Sequence, residues 1–226
     1  MFASNISPLR WVRRIVLVIM AVFGLLFMLQ QVVVRIVRRA APRPMPARLA
    51  PVLTMPWRSR LFGSPEQILN RAGVAPGMRV LEIGPGPGVY TVPLARRVAS
   101  QGTGGNVTCL EIQPEMIAML QERLEDAGVQ NVEVIQGDGR YMPLADGSFD
   151  LVFLTGVLGE TPDLAALFSE CARVLKPGGI LAVTEQVSDP DFRLPSTVQT
   201  LAVNAGFGED GRVGLSWWAF TARYRK

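Results

Sequence analysis

The chemistry-bearing residues of this 226-residue chain gather in a few short stretches. In the first, Glu82-Ile83-Gly84-Pro85-Gly86-Pro87-Gly88, a carboxylate precedes three glycines at alternate positions. Glycines so spaced clear side chains from where backbone must approach a ligand, and they supply turn geometry closed to other residues. Backbone N–H groups there could hold a ligand carboxylate, and Glu82 could attract an ammonium group directly or through water. The same negative side chain is awkward beside a pyrophosphate. The spacing agrees. A dinucleotide fingerprint reads G-x-G-x-x-G, whereas here the third glycine comes one position early, at Gly88, and Val89 follows. The Gly-Lys-Ser/Thr of a phosphate-binding loop is absent.

Glu111 closes an apolar run 27 residues beyond Gly84. A carboxylate there can accept hydrogen bonds from both ribose hydroxyls, a feature that a nicotinamide site would share. Asp138, in Gly137-Asp138-Gly139, could accept from an adenine amino group, with Ile112 and Met116 packing on the ring. Taken singly, each acid reads as an ordinary turn carboxylate. Together they stand at the ends of successive strands, where one ligand can meet all of them.

The elements that must position these groups are legible in the periodicity. Ser64 can cap a helix with Pro65 at its first position and Glu66 in its first turn, closed by Gly73. Short apolar runs at 79–83, 107–112, 131–135, 149–154 and 180–185 read as strands. Helical patterns separate them at about 89–98, 114–126 and from Thr161, read as a cap, to Pro177. A last helix is predicted at 195–204 and two closely spaced strands over 211–224. Strands alternating with helices predict an α/β, doubly wound, Rossmann-like and mostly parallel sheet with an antiparallel edge.

The N-terminal part is of another kind. Residues 15–29 are uninterrupted apolar or glycine positions, extended past Gln30 and Gln31 by three valines and flanked by arginines. We read 1–14 as a short basic segment, 15–36 as a transmembrane helix, 37–61 as a Pro/Arg-rich juxtamembrane linker and 62–226 as the catalytic domain. A signal peptide or an interfacial helix would share parts of this pattern. Five arginines follow the span within about fifteen residues against three before it, which biases the C-terminal side toward the cytoplasm. Five prolines between Pro42 and Pro56 predict a semi-rigid spacer. The competing reading makes Met45, Leu49, Val52, Leu53, Met55 and Trp57 an apolar ledge at the membrane surface.

Composition excludes several classes. Residues 1–65 hold ten arginines and no acid, whereas the remainder holds 13 basic and 19 acidic residues, a net −6. A negative body argues against nucleic acid as a partner, and the basic flank suggests anionic headgroups. The chain has no histidine, which removes Ser-His and Cys-His dyads and the commonest neutral metal ligand. Cys109 and Cys171, each inside an apolar stretch, read as buried free thiols.

The runs VLEIGPGPGVYTVPLA, CLEIQPEMI, GDGRYMPLADGSFDLVF and LKPGGILAVTE resemble, in order, the motifs of class I S-adenosylmethionine-dependent methyltransferases. The likeness is greatest to the small-molecule, lipid or quinone branch, and it covers about residues 62–226. It implies S-adenosyl-L-methionine as cofactor and a seven-stranded sheet of order 3-2-1-4-5-7-6 with strand seven antiparallel. It also implies methionine contacts at Gly84 and Gly86, ribose contact at Glu111, and adenine contacts at Ile112, Asp138 and Gly139. Gly88 completes the glycine turn, and Met116 and Thr155 complete the expected cofactor lining. Thr155, Gly156 and Leu158 should lie near the transferred methyl, with Tyr90 lining the site and Glu160 and Glu185 the nearest acids. Glu160 by itself reads as an ordinary acid at a helix start. Sulfonium methyl transfer needs alignment more than a base, so the absence of histidine is compatible with it. The Asn/Asp-Pro-Pro-Tyr/Phe pattern of many amino-methylating enzymes is replaced here by Thr155-Gly156-Val157-Leu158. The expected acceptor is a small, hydrophobic or lipid-like molecule. A tethered binding module without transferase activity and an NAD-dependent reductase are the alternatives.

Overall fold

The computed structural model describes residues 8–189 and 192–226. Two compact units result, one ending at Ala41 and one running from Pro42 to Lys226. The first is the helix α1, Pro8–Ala40. Its stretch Trp11–Ile36 is, among the described residues, the one helix long and apolar enough to cross a membrane. At 1.5 Å per residue those 26 residues reach about 39 Å, more than a bilayer's hydrocarbon core. Residues 1–7 of the expected basic segment lie outside the described residues.

The second unit begins with short helices: a 3-10 turn at Ala47–Leu49, then α2 (Ala50–Leu53) and α3 (Pro56–Phe62). Pro51 and Pro56 occupy first-turn positions of α2 and α3, where a missing N–H costs nothing. The prolines therefore start helices where the spacer reading had them only interrupt one. The α/β body follows with α4 (Pro65–Ala72), β1 (Arg79–Ile83), α5 (Thr91–Val98), β2 (Asn106–Glu111) and α6 (Pro114–Asp126). It continues with β3 (Val132–Gln136), β4 (Phe149–Thr155), α7 (Leu164–Val174), β5 (Leu175–Gln186), α8 (Pro195–Asn204), β6 (Gly208–Leu215) and β7 (Ala219–Arg225).

The seven strands form one sheet of order β3-β2-β1-β4-β5-β7-β6, with β7 antiparallel to both neighbours. Alternation along the strands sends side chains to two cores. Val80, Cys109, Leu151 and Phe153 face α4, α5 and α6 through Ile68, Leu94 and Leu120. Leu81, Ile83, Val152, Leu154 and Val183 face α7 and α8 through Leu167, Phe168 and Val198. Both cysteines are free and buried.

Ser64 closes a capping box on α4: its hydroxyl accepts from Gln67 N at 3.3 Å, and Gln67 Oε1 accepts from Ser64 N at 3.0 Å. Ser64→Ala should lower stability by about 1 kcal/mol without changing cofactor affinity, as read by denaturant unfolding. The start of α7 differs from expectation. Asp163 is the cap, accepting from Ala166 N at 3.0 Å, while the Thr161 hydroxyl donates back to Val157 O. A local Ser/Thr-type bond to the preceding turn has taken Thr161 out of the capping position.

Candidate cofactor and acceptor site

The C-terminal ends of β1, β2 and β4 bring the site residues to one edge of the sheet. Gly84 N donates to Leu110 O at 2.9 Å, tying the glycine turn to β2, and Gly88 N closes the turn onto Pro85 O at 3.0 Å. Gly84 has φ +64° and Gly86 φ +53°, in the left-handed region that favours glycine. A Cβ on Gly84 would stand 2.7 Å from Val157 Cγ2, so this glycine also lets the loop after β4 approach. Gly88 faces elsewhere: its Cβ position lies 2.6 Å from Leu120 Cδ1, which seats the turn on α6.

Glu82 ends up deeply buried, at 3% exposure. Burial pushes its carboxyl up to about 7; Thr91 and Cys109 pull the other way, and the charge of Glu111 adds to the rise. Such a group is poised to be held ionised by a cation brought in by a ligand. Glu111, at 4% exposure, accepts from Gly86 N at 3.1 Å through Oε2, and from Ile112 N and Gln113 N at 2.9 and 3.0 Å through Oε1. It thus clips the glycine turn to the entrance of α6. A carboxylate has about four acceptor positions, so one remains for a hydroxyl.

Asp138 follows β3 and is gripped by Arg140, whose Nη2 lies 2.7 Å from Oδ2. That bond holds the Asp138 carboxyl below the usual range. Gly139 packs close to Leu167 and to Ile83 at the end of β1. Ile112 is exposed, with its side chain available to a ring, whereas Met116 is buried in the body of α6. Thr155 ends β4 with a buried hydroxyl that has no hydrogen-bond partner in the protein. Glu160 is half-buried in the turn that follows, its N–H donating to Val157 O. Tyr90 stacks edge-on against Phe153 at 5.7 Å, and its hydroxyl accepts from Gln186 Nε2 at 3.2 Å. Burial raises the Tyr90 phenol above its ordinary value, which keeps it a neutral hydroxyl. Glu185 is buried at the end of β5 and accepts from Arg193 N at 2.8 Å.

Four residues that the sequence reading had not assigned to the site join it. Arg58 of α3 donates to Gln186 Oε1 at 3.0 Å and to Asp189 Oδ1 at 3.2 Å. A Cβ on Gly156 would stand 3.1 Å from Asp189 Oδ2, which places that carboxylate beside the end of β4. Leu53 of α2 lies over Gly86, its Cδ1 3.8 Å from the Cβ position. The short helices therefore cover the glycine turn and brace the β5 end. Nothing local marks a pairing between positions 131 residues apart. The first-turn prolines were the one signal that the segment was helical.

The protein's own geometry fits S-adenosylmethionine. At Gly86 the one side-chain atom within 4 Å of the Cβ position is the terminal methyl Leu53 Cδ1, a buried carboxyl near neutrality stands ready for an ammonium group, and Glu111 keeps an acceptor position at the strand edge. Among the described residues no group of histidine, cysteine and acidic side chains could hold a metal. The strand order and the strand-end site are those that the resemblance to class I S-adenosylmethionine-dependent methyltransferases implies.

The comparisons agree. Residues 81–183 match the family described as a methyltransferase domain. The demethylmenaquinone methyltransferase of Staphylococcus aureus is 33% identical over 61% of this chain and 53% of its own length. The ubiquinone/menaquinone biosynthesis C-methyltransferase of Shewanella halifaxensis is 36% identical over 52% and 46%. The chain thus spans about half the length of the curated relatives it matches. A crystal structure of a SAM dependent methyltransferase from Aquifex aeolicus superposes with a TM-score of 0.72 and 25% identity, covering 80% of this chain and 99% of that one. Over its α/β unit the chain is thus similar to S-adenosylmethionine-dependent methyltransferases.

Proposed function

We propose that this protein moves the methyl group of S-adenosylmethionine to a small, hydrophobic, membrane-associated acceptor, with α1 spanning the membrane and the catalytic unit on the cytoplasmic side. The observation that carries the reading is the positive-φ glycine turn at Gly84 and Gly86, set at the strand ends with buried Glu82 and Glu111. The hydrophobic acceptor draws on the quinone-related names of the relatives and on the length and hydropathy of α1.

Bound cofactor supplies a methyl already activated on a sulfonium, so the protein's task is alignment and exclusion of water. In this reading Glu82 meets the ammonium group and Glu111 one ribose hydroxyl, while Ile112 and Gly139 border the adenine. The Thr155 hydroxyl and the Tyr90 phenol face the acceptor side. As a neutral hydroxyl steadied by Gln186, Tyr90 orients the acceptor and does not take its proton. Asp189 stands beside Gly156 at the end of β4.

The test is transfer of labelled methyl from the cofactor into the organic-soluble fraction of a membrane lipid extract. Label should appear there with the full chain. Thr155→Val should lower kcat about tenfold, the kinetic equivalent of one neutral hydrogen bond, with cofactor Kd unchanged. Cofactor binding with no label transferred would leave a tethered binding module. Binding of NADH in place of S-adenosylmethionine would favour the reductase.

A further inference from the structure

The aromatic side chains at the N-terminal cover do not all serve the site. Trp57 and Phe62 of α3 meet edge-on at 6.4 Å, Phe62 stacks on Trp218 at 5.3 Å, and Trp218 meets Trp217 at 5.9 Å. The Trp218 indole N–H donates to Leu61 O at 3.0 Å, which fastens the β6–β7 turn to α3. Two segments more than 150 residues apart thereby expose one continuous apolar surface. Its outward members are Val52, Met55, Trp57, Leu61, Leu215 and Trp217, with Trp217 66% exposed. Single exposed apolar residues are ordinary, but a contiguous aromatic patch marks an interaction surface.

Charge selects the partner. From residue 1 to residue 65 the chain has ten arginines and no acid, and Arg43, Arg48 and Arg60 are exposed around this patch's own segment. Arg58, the fourth arginine of that segment, is occupied by Asp189. Tryptophans with arginines and no carboxylates suit the interfacial zone of an anionic bilayer, where indole rings sit at headgroup depth. Only eight residues lie between the end of α1 at Ala40 and Leu49, and the nine steps reach at most about 32 Å. A membrane-spanning α1 would make docking of the patch an intramolecular event.

We propose that the α2–α3 segment and the β6–β7 turn form a second membrane contact, an aromatic and arginine-rimmed surface that docks onto anionic lipid. This would set the acceptor side of the site, braced by the same Arg58, against the lipid surface. The inference rests in part on reading α1 as a membrane span, and the experiment keeps the two apart. The full chain carrying Trp11→Phe, so that Trp57, Trp217 and Trp218 supply the fluorescence, is reconstituted with phosphatidylcholine vesicles with and without phosphatidylglycerol. Half of the preparations carry brominated acyl chains.

Bromine should quench the fluorescence strongly when phosphatidylglycerol is present. Arg48→Gln combined with Arg60→Gln should lower the docking constant by about 25-fold, since each arginine near an anionic leaflet is worth about a fivefold gain. Sedimentation after an alkaline carbonate wash reports α1 separately. Protein retained through the wash but unquenched would overturn the docking surface and leave the span intact, pointing to a protein partner for the patch. Quenching before the wash with loss of protein during it would support the surface and remove the span.

Discussion

Glu82→Gln should make the ligand-free protein more stable above pH 7 while weakening its hold on the cofactor. The two effects have one cause. Glu82 is 3% exposed, and burial lifts its carboxyl from 4.5 to about 7. Between those values the folded protein keeps a proton that the unfolded chain has released, so stability falls as pH rises through that window. The favourable contribution of the protonated form is fully present below 4.5 and lost above 7. A shift of this size costs about 3 kcal/mol in the ionised, ligand-free state. Glutamine keeps the shape and escapes that cost.

A bound ammonium group would hold Glu82 ionised, so cofactor binding at pH 7 should release about half a proton, because the group is then near its midpoint. Titration calorimetry in buffers of different ionisation heat reads this directly. Loss of one charge-assisted hydrogen bond in the variant predicts about a 10- to 150-fold weaker Kd and no proton release. A variant that binds as tightly as the wild type, or is less stable at pH 8, would remove Glu82 from the ammonium role.

Glu111→Gln should lower both stability and cofactor affinity. At an open strand end the substitution would scarcely touch the fold, but Glu111 is 4% exposed and takes three backbone N–H groups. Glutamine offers one oxygen and turns an NH2 toward donors at Gly86, Ile112 or Gln113. A buried donor left unpaired costs about 1–3 kcal/mol, which should appear in denaturant unfolding without ligand. Cofactor binding should weaken by a similar amount, because Gly86 loses its anchor and the ribose loses an acceptor. A cofactor lacking both ribose hydroxyls separates the two parts. A greater loss for the normal cofactor than for this analogue measures the ribose bond. Equal losses would leave Glu111 as a clip for the glycine turn alone.

Much of this fold is written in short-range pattern. The strands at 79–83 and 149–154, the helix at 114–126 and the Ser64 cap stand where periodicity and capping chemistry put them, within a residue or so. Strand β5 is different. Its Lys176-Pro177-Gly178-Gly179 start reads locally as a turn, yet β5 runs from Leu175. Gly178 N donates to Lys226 O and Lys226 N to Gly179 O, so the far end of the chain supplies the pairing. Asp163 displaced Thr161 as the cap of α7 because the preceding turn claimed the threonine hydroxyl.

The same division runs through the site. The strand-end positions of Glu82, the glycines, Glu111 and Asp138 were legible because a parallel α/β sheet brings successive strand ends to one edge. What each carboxylate touches was not legible. Glu111 clips Gly86 to the start of α6, Asp138 is held by Arg140, and Glu82 is titrated toward neutrality by its burial. Arg58 reached Asp189, just beyond β5, from a segment read as a linker, across 131 residues of chain. The sequence by itself determined the order of elements, the edge at which the glycine turn and the strand-end carboxylates gather and the apolar α1, since these follow from residue spacing and hydropathy. Only the tertiary structure decided which polar groups are spent on the protein and which remain for a ligand, because burial and long-range hydrogen bonds exist only once the strands and short helices are assembled.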